Sequence, residues 1–325
     1  MVTGFEGGRG FCESVFNYSS QGDFVMMRQM LSLVEKIPLI PAAILIMKAV
    51  WAARLRRPVA YITDQTINEC FESLHRDGVC IVEKFLPVDV CDCLRKETRT
   101  LMEAFPDAVH CDPLGADRRL FLGPVPTGPL AKIFSDERLA SCASVILGAG
   151  TVNLATLVGH LTAVPGNSGS GGGWHRDSFA NQFKAMIYLS DVGPENGPFQ
   201  YILGSHNLRA MIRDQRRAEL GIDQTRITEG QIARLLNEKP QRLASVTGLA
   251  GTLILADTTG LHRGMPIVSG ERYALTNYYY PSRAVTAGLT DHFKPILGVH
   301  VPYDRTASSS MESVCSGPRS SGTRK

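Results

Sequence analysis

The chain has 325 residues, 44 % hydrophobic and 20 % charged, which is ample for a packed core in one or two domains. Thirty-four basic residues face 31 acidic ones, a net charge of +3, so the global charge carries no nucleic-acid signature. The eight cysteines, at 12, 70, 80, 91, 93, 111, 142 and 315, have neither the spacing of a disulfide framework nor a second pair to make a CxxC-type metal site. They read as thiols of a reducing compartment, and the expected location is cytoplasmic.

Residues 1–60 form an N-terminal extension. Its first 22 residues are rich in Gly, Ser and Asn and are expected to be poorly ordered. Phe24 to Lys36 is compatible with a helix. The run IPLIPAAILIMKAVWAA, residues 37–53, carries one charge, Lys48, and is followed by Arg54, Arg56 and Arg57. It is slightly shorter than the roughly 20 residues of a spanning helix, with Pro38 and Pro41 near its start. It begins too far from Met1 for a signal peptide. Three readings stay open: a helix covering an apolar face of the main domain, peripheral membrane contact through residues 37–57, and a true span.

The main domain is expected over 61–305. Thr63 or Asp64 can cap a helix running to Arg76, which Asp77-Gly78 ends. Val79–Val82 is a short strand, Val88–Phe105 a second helix, and 106–131 a long loop rich in Pro, Gly and Asp. Ser135 can cap a third helix reaching Leu147. From Thr151 the pattern becomes one of strands: Thr151–Val164, Phe183–Ser190, Phe199–Leu203, Gly251–Ala256 and Arg272–Tyr280. Short strands with turn-rich links predict antiparallel sheets. Residues 166–173, GNSGSGGG, read as a flexible approach. Residues 207–245 read as a helical, mildly basic insertion, and 306–325 as a disordered tail.

The chemistry centres on WHRDS, residues 174–178. Side chains alternate along a strand, so His175 and Asp177 can share a face while Arg176 points away. One imidazole and one carboxylate make two thirds of the His, His, carboxylate face that holds iron(II) in oxygenases. A two-sheet barrel brings distant strands together, and the best second imidazole is His262, just after an apolar strand and a turn. Ten residues on, Arg272 can aim a planar guanidinium into the barrel, suited to a carboxylate.

These residues carry a family resemblance over about 61–290. The segments WHRDSFANQFKAMIYLSDVGPENGPFQYILGSH and GTLILADTTGLHRG with ERYALTNYY make the chain resemble the phytanoyl-CoA dioxygenase family of Fe(II)/2-oxoglutarate-dependent oxygenases. The resemblance implies a double-stranded β-helix, a cupin-like jelly roll with flanking helices. It implies Fe(II) on His175, Asp177 and His262, with Arg272 on the far carboxylate of 2-oxoglutarate. It implies O2 as the second cosubstrate, and release of succinate and CO2. Asp177 is present, which favours hydroxylation over the halogenation seen where a small residue replaces that carboxylate. In the family a Ser sometimes stands two residues past the distal His and helps hold the cosubstrate; here that position is Gly264, and Thr276 is a weak substitute.

Other residues have two readings each. Lys184, in the apolar strand FKAMIYL, contacts substrate or a 2-oxoglutarate carboxylate, or else snorkels at the barrel edge. Trp174 is a substrate-pocket wall or outer packing. Asn181 and Gln182 are substrate candidates at the start of a strand. Arg213, with Arg209, Arg216 and Arg217, is an anion clamp or part of a solvated helix face. His160 and His206 are assigned to structure or pocket wall. The expected function is a hydroxylase acting on an unactivated C–H bond of a small-molecule biosynthetic intermediate. A Zn- or Mn-dependent hydrolase or isomerase, and a jelly-roll binding module without chemistry, are the alternatives. Substrate and oligomeric state are not legible in the sequence.

Overall fold

The computed structural model describes residues 40–55, 65–123, 128–179 and 182–290. The expected helix at 24–36, the tail at 306–325 and Asn181 lie outside them.

Ten strands occur among the described residues: β1 (Val79–Val82), β2 (His110–Cys111), β3 (Asp117–Leu122), β4 (Thr151–Thr162), β5 (Phe183–Tyr188), β6 (Phe199–Ile202), β7 (Leu243–Val246), β8 (Leu253–Asp257), β9 (His262–Gly264) and β10 (Glu271–Pro281). The helices are α1 (Ile40–Leu55), α2 (Gln65–Asp77), α3 (Val88–Ala104), α4 (Pro129–Phe134), α5 (Glu137–Leu147), α6 (Leu208–Ala218) and α7 (Glu229–Leu236). Seven strands form the major sheet, in the order β1-β8-β5-β10-β4-β3-β2, and β7-β6-β9 form the minor one. Their pairings are antiparallel, and the architecture is the expected jelly roll.

Period-two alternation divides the major sheet into a helix-covered face and a barrel face. In β5, Phe183, Ala185 and Ile187 join the core under α2, α3 and α5. Tyr188 packs instead between the sheets with Phe199, Tyr201, Ile254, Ala256 and Ala274. In β10, Tyr273, Leu275 and Tyr279 point to the helices, while Tyr280 joins a separate cluster with Ala155 and Leu289. Burying side chains of this size is worth roughly 1.5–3 kcal/mol each, so a one-residue slip in β10 would exchange its two faces at high cost.

The structure departs from the expected elements in several places. The expected loop at 106–131 contains β3 and α4. Helix α5 is capped not by Ser135 but by Asp136, whose carboxylate accepts from the Arg138 and Leu139 backbone N–H groups. Cys70, Cys80, Cys91, Cys111 and Cys142 take part in no disulfide, but Cys93 is disulfide-bonded, against the expectation of a chain with only thiols. The glycine-rich stretch at 166–173 is tied down rather than loose: Asn167 Nδ2 donates to the Ile267 carbonyl at 2.8 Å, and its Oδ1 accepts from Ile267 N–H at 3.0 Å.

Helix α1 is 16 residues, about 24 Å long. No helix among the described residues is long and apolar enough to cross a membrane. Leu45 and Ala52 of α1 are buried, and Lys48 of the same helix pairs with Asp223 and lies 4.2 Å from the Phe179 ring centroid. The helix therefore covers the domain on one side while Ile46, Met47, Val50 and Trp51 remain exposed on the other. The expected insertion at 207–245 folds as α6 and α7, stitched by a buried pair, Arg242 Nη2 to Asp214 Oδ2 at 2.7 Å, but its last residues belong to β7 of the minor sheet.

Candidate metal centre

His175 lies just before β5 in sequence but pairs with the opposite sheet. His175 N–H donates to the His262 carbonyl at 2.9 Å and His262 N–H to the His175 carbonyl at 2.8 Å, an isolated antiparallel bridge. This single pairing brings together two residues 87 positions apart and sets their ring centroids 4.3 Å apart. Asp177 N–H donates to the Thr258 carbonyl at 3.0 Å, which holds the carboxylate on the same face. Arg176, between them, points away: it is 4 % exposed, its Nη1 donates to the Thr259 carbonyl at 3.0 Å, and its guanidinium lies 5.0 Å from the Phe179 ring centroid.

Each imidazole is oriented by its own turn. His175 Nδ1 lies 2.8 Å from the Gly173 carbonyl and His262 Nδ1 lies 2.9 Å from the Gly260 carbonyl. Donation to these carbonyls puts the proton on Nδ1 and leaves the Nε2 lone pair free, the arrangement a metal ligand requires. His175 Nε2 is 3.7 Å from Asp177 Oδ1, and His262 Nε2 is 3.7 Å from Asp177 Oδ2. The ligand atoms of the three residues lie within 4.8 Å of one another. Gly171 makes the packing possible: at φ +87° it lies so close that a Cβ would sit 2.4 Å from His175 Cε1.

The electrostatics suit a dication. Burial lowers both imidazoles, His262 to about 4 and His175 well below 6.5, with the neighbouring cations assisting. Both are neutral near pH 7, as ligands must be. Burial pushes the Asp177 carboxyl up, but the Lys184 ammonium, by its charge and its hydrogen bond, outweighs burial and holds the carboxyl well below the usual range. The donor set, two neutral nitrogens and one anionic oxygen on one face, fits a first-row divalent metal.

The Lys184 ammonium does not snorkel at the barrel edge: it lies 2.7 Å from Asp177 Oδ2 and 4.6 Å from the Tyr278 ring centroid, buried beside the triad. Arg272 is 3 % exposed, and its Nε and Nη1 have no hydrogen-bond partner among the described residues. A buried guanidinium with free donors costs free energy unless an anion meets it, so Arg272 fits a carboxylate ligand. Thr276 is buried on β10, opposite Met186 and Leu157. Four residues of strand rise about 13 Å, so it stands well along β10 from Arg272 rather than beside it.

The remaining candidates divide. Gln182 is 1 % exposed with both amide heteroatoms unpartnered, so it stays a substrate candidate. Trp174 is corrected: it is no pocket wall but packs with Ile202, Ala218, Ile227, Ile232, Leu235 and Leu261, with the Arg263 guanidinium 4.6 Å from its ring centroid. It anchors the insertion. Arg213 is half-exposed on α6, where its Nη2 pairs with Asp214 Oδ1 at 3.1 Å. His160 is structural, stacked 4.1 Å from Tyr273 and 2.8 Å from Glu271. His206 lines a cavity of about 200 Å³ between α1 and α6 with Asp257 and Thr259, and no triad residue lines it.

Sequence reasoning missed three residues near the triad. Arg119 on β3 is tied to Asp117, which holds its Nε at 2.9 Å, and its Nη2 reaches Ser170 Oγ at 3.3 Å. The signal was present: in DRRLFL, Leu120 and Leu122 alternate with Asp117 and Arg119, but the polar half faces the barrel, so the stretch looked like a loop. Arg226, from the insertion, forms a backbone bridge with His175 and donates to the Gly171 carbonyl. Ser170 was absorbed into the glycine-rich stretch.

Comparison with known proteins agrees with this geometry. The fold matches that of EctD from S. alaskensis in its apo form, with 20 % identity over 69 % of this chain and 80 % of that one and a TM-score of 0.54. It also matches the non-heme alpha-ketoglutarate-dependent carbocyclase SnoK of nogalamycin biosynthesis, at 17 % identity over 65 % and 83 % of the chains and a TM-score of 0.51. The alpha-ketoglutarate-dependent epimerase SnoN of the same biosynthesis matches at 17 % identity over 66 % and 82 %, with a TM-score of 0.50. No curated protein matches the chain. The family model described as phytanoyl-CoA dioxygenase (PhyH) matches residues 74–272, a span that starts in α2, includes the triad and closes on Arg272. The chain belongs to the phytanoyl-CoA dioxygenase family.

Proposed function

We propose that the protein is a non-haem Fe(II)- and 2-oxoglutarate-dependent dioxygenase that hydroxylates an unactivated C–H bond of a small-molecule biosynthetic intermediate. The observation that carries this reading is the triad His175, Asp177 and His262 in the same barrel as a buried guanidinium, Arg272, with free donors. Against a general metal hydrolase, the guanidinium counts through the family, in which that residue holds 2-oxoglutarate.

When bound, Fe(II) with 2-oxoglutarate supplies the oxidising power, taking up O2 and releasing succinate and CO2. The chain's own residues do the rest. His175, Asp177 and His262 would hold the metal through two neutral imidazole nitrogens and one carboxylate. Arg272 neutralises the far carboxylate in a site drier than water, where the pair is stronger. The Nδ1–H groups of both imidazoles, donating to Gly173 and Gly260, keep Nε2 aimed at the metal. The aromatic wall of Tyr188, Phe199 and Tyr201 excludes water from the barrel.

The test is anaerobic titration with Fe(II) and 2-oxoglutarate. The reading requires the weak visible charge-transfer band of the chelated complex, lost in Asp177→Ala. Absence of the band in the unaltered protein sinks it. Similar barrels serve an epimerase and a carbocyclase, so the outcome is read from product mass. A gain of 16 supports hydroxylation, an unchanged mass epimerisation, and a loss of 2 ring closure. Turnover of substrate without succinate would favour the hydrolase or isomerase reading.

Helix α1, with its exposed apolar side and the arginines that follow in the sequence, supports peripheral attachment of a cytoplasmic enzyme to an anionic membrane surface as part of this reading. Cosedimentation with anionic vesicles, compared with Trp51→Ser, tests it.

A further inference from the structure

Gly264 stands two residues beyond His262 and has no room for a side chain. A Cβ there would meet Ser170 Cβ at 2.7 Å and Arg272 Nη2 at 3.1 Å. Its place is taken by the glycine-rich stretch, which comes in from between β4 and β5. Gly264 N–H donates to the Ser170 carbonyl at 3.1 Å, and the Asn167 clamp to Ile267 fixes the stretch three residues earlier. Ser170 is therefore positioned as firmly as a strand residue.

Its hydroxyl has a defined neighbourhood. Ser170 Oγ accepts from Arg119 Nη2 at 3.3 Å, and a hydroxyl that accepts still has its own proton to donate. Beside it lies the Arg272 guanidinium, nine-tenths and more buried, with Nε and Nη1 unpartnered. Arg119 is held by Asp117 through Nε and Nη2. Arg272 keeps Nε and Nη1 unpartnered, and its Nη2 borders, with Ser170 Cβ, the space that a side chain at Gly264 would fill.

We propose that the Ser170 hydroxyl donates a second hydrogen bond to the far carboxylate of 2-oxoglutarate held by Arg272, and that position 264 is glycine so that Ser170 can stand there. The inference rests on the cosubstrate reading above and adds to it a binding residue delivered by a segment far from β9 in sequence.

The test is calorimetric titration of Mn(II)-loaded protein with 2-oxoglutarate and, separately, with oxalate. Oxalate can chelate the metal but has no distal arm. Ser170→Ala weakens 2-oxoglutarate about tenfold, the scale of a hydrogen bond to a charged group, and leaves oxalate unchanged. Ser170→Gly shows the same selective loss, and Ser170→Gly combined with Gly264→Ser recovers most of it by moving the hydroxyl onto β9. Gly264→Ser alone weakens 2-oxoglutarate, because its side chain collides with Ser170. Equal losses for both acids in Ser170→Ala, or no loss for either, overturn the proposal while leaving the cosubstrate reading intact. Unaltered protein that binds oxalate but not 2-oxoglutarate overturns both.

Discussion

The Lys184 ammonium stands 2.7 Å from Asp177 Oδ2, so the barrel contains its own cation on the carboxylate that a metal must use. Lys184 is on β5, inside the barrel, and Asp177 precedes that strand by six residues; the contact closes the segment back over its own strand. It keeps the carboxylate charged in a buried site, at the cost of a positive charge next to a dication.

Lys184→Met separates these two effects. The metal-free protein loses about 3 kcal/mol, because a buried carboxylate is left without its partner. A metal then has no competitor, so the rise in melting temperature on adding Mn(II) is larger in the variant than in the unaltered protein. Thermal melts with and without Mn(II) measure both. Equal metal-induced shifts would show that Lys184 does not compete for Asp177.

Gly171→Ala is expected to damage the metal site more than the fold. The residue has φ +87°, and its Cβ would lie 2.4 Å from His175 Cε1. The ring must turn away from the Gly173 carbonyl that orients it. Metal affinity falls about 10–100-fold, the usual effect of losing an orienting contact. Competition with a chelating dye reads this directly.

Glu97 gives a pH signature away from the site. It is 7 % exposed on α3, and its Oε2 accepts from Leu130 N–H at 3.2 Å. Burial raises its carboxyl from 4.5 to about 7, against the lowering effect of that hydrogen bond. A raised folded-state value means that the stability contribution is full below the unfolded value of 4.5 and is lost as pH rises through about 7. Glu97→Gln keeps an acceptor for Leu130 and carries no charge. Its advantage over the unaltered protein should grow across that window, to about 3 kcal/mol. Urea melts at pH 5 and pH 8 check it; parallel pH dependence in the two proteins is the contrary result.

Trp174→Ala tests the anchoring of the insertion. The ring is 3 % exposed among residues of α6, α7 and the β6 end. Truncation should cost about 3–5 kcal/mol and loosen 207–245 first, because Arg263 also loses the ring it covers. Hydrogen exchange should therefore rise in α6 and α7 before it rises in β5 or β10. A uniform rise would mean that the ring supports the barrel as a whole.

Legibility varied with how local each signal was. Strands β4, β5, β6, β8 and β10 were visible because apolar residues dominate both of their faces, one against helices and one inside the barrel. Strand β3 was not, because Asp117 and Arg119 occupy its barrel face and local pattern cannot tell a polar lumen from solvent. Trp174 looked like a pocket wall because it adjoins His175 in sequence. Alternation turns neighbouring side chains to opposite faces, and the insertion that covers Trp174 arrives some 30 residues later.

The sequence by itself determined the candidate set. His175, Asp177, His262 and Arg272 are recognisable because their residue types, order and spacing are unusual in combination, and none of that needs coordinates. Only the tertiary structure decided what stands around them: Lys184 on Asp177, Arg119 tied to Asp117, Arg226 beside His175, and Ser170 in the space that Gly264 leaves. The physical reason is that these partners are set by cross-sheet register and by the path of one glycine-rich stretch. Both follow from packing the two sheets together, and neither leaves a periodic trace in the chain.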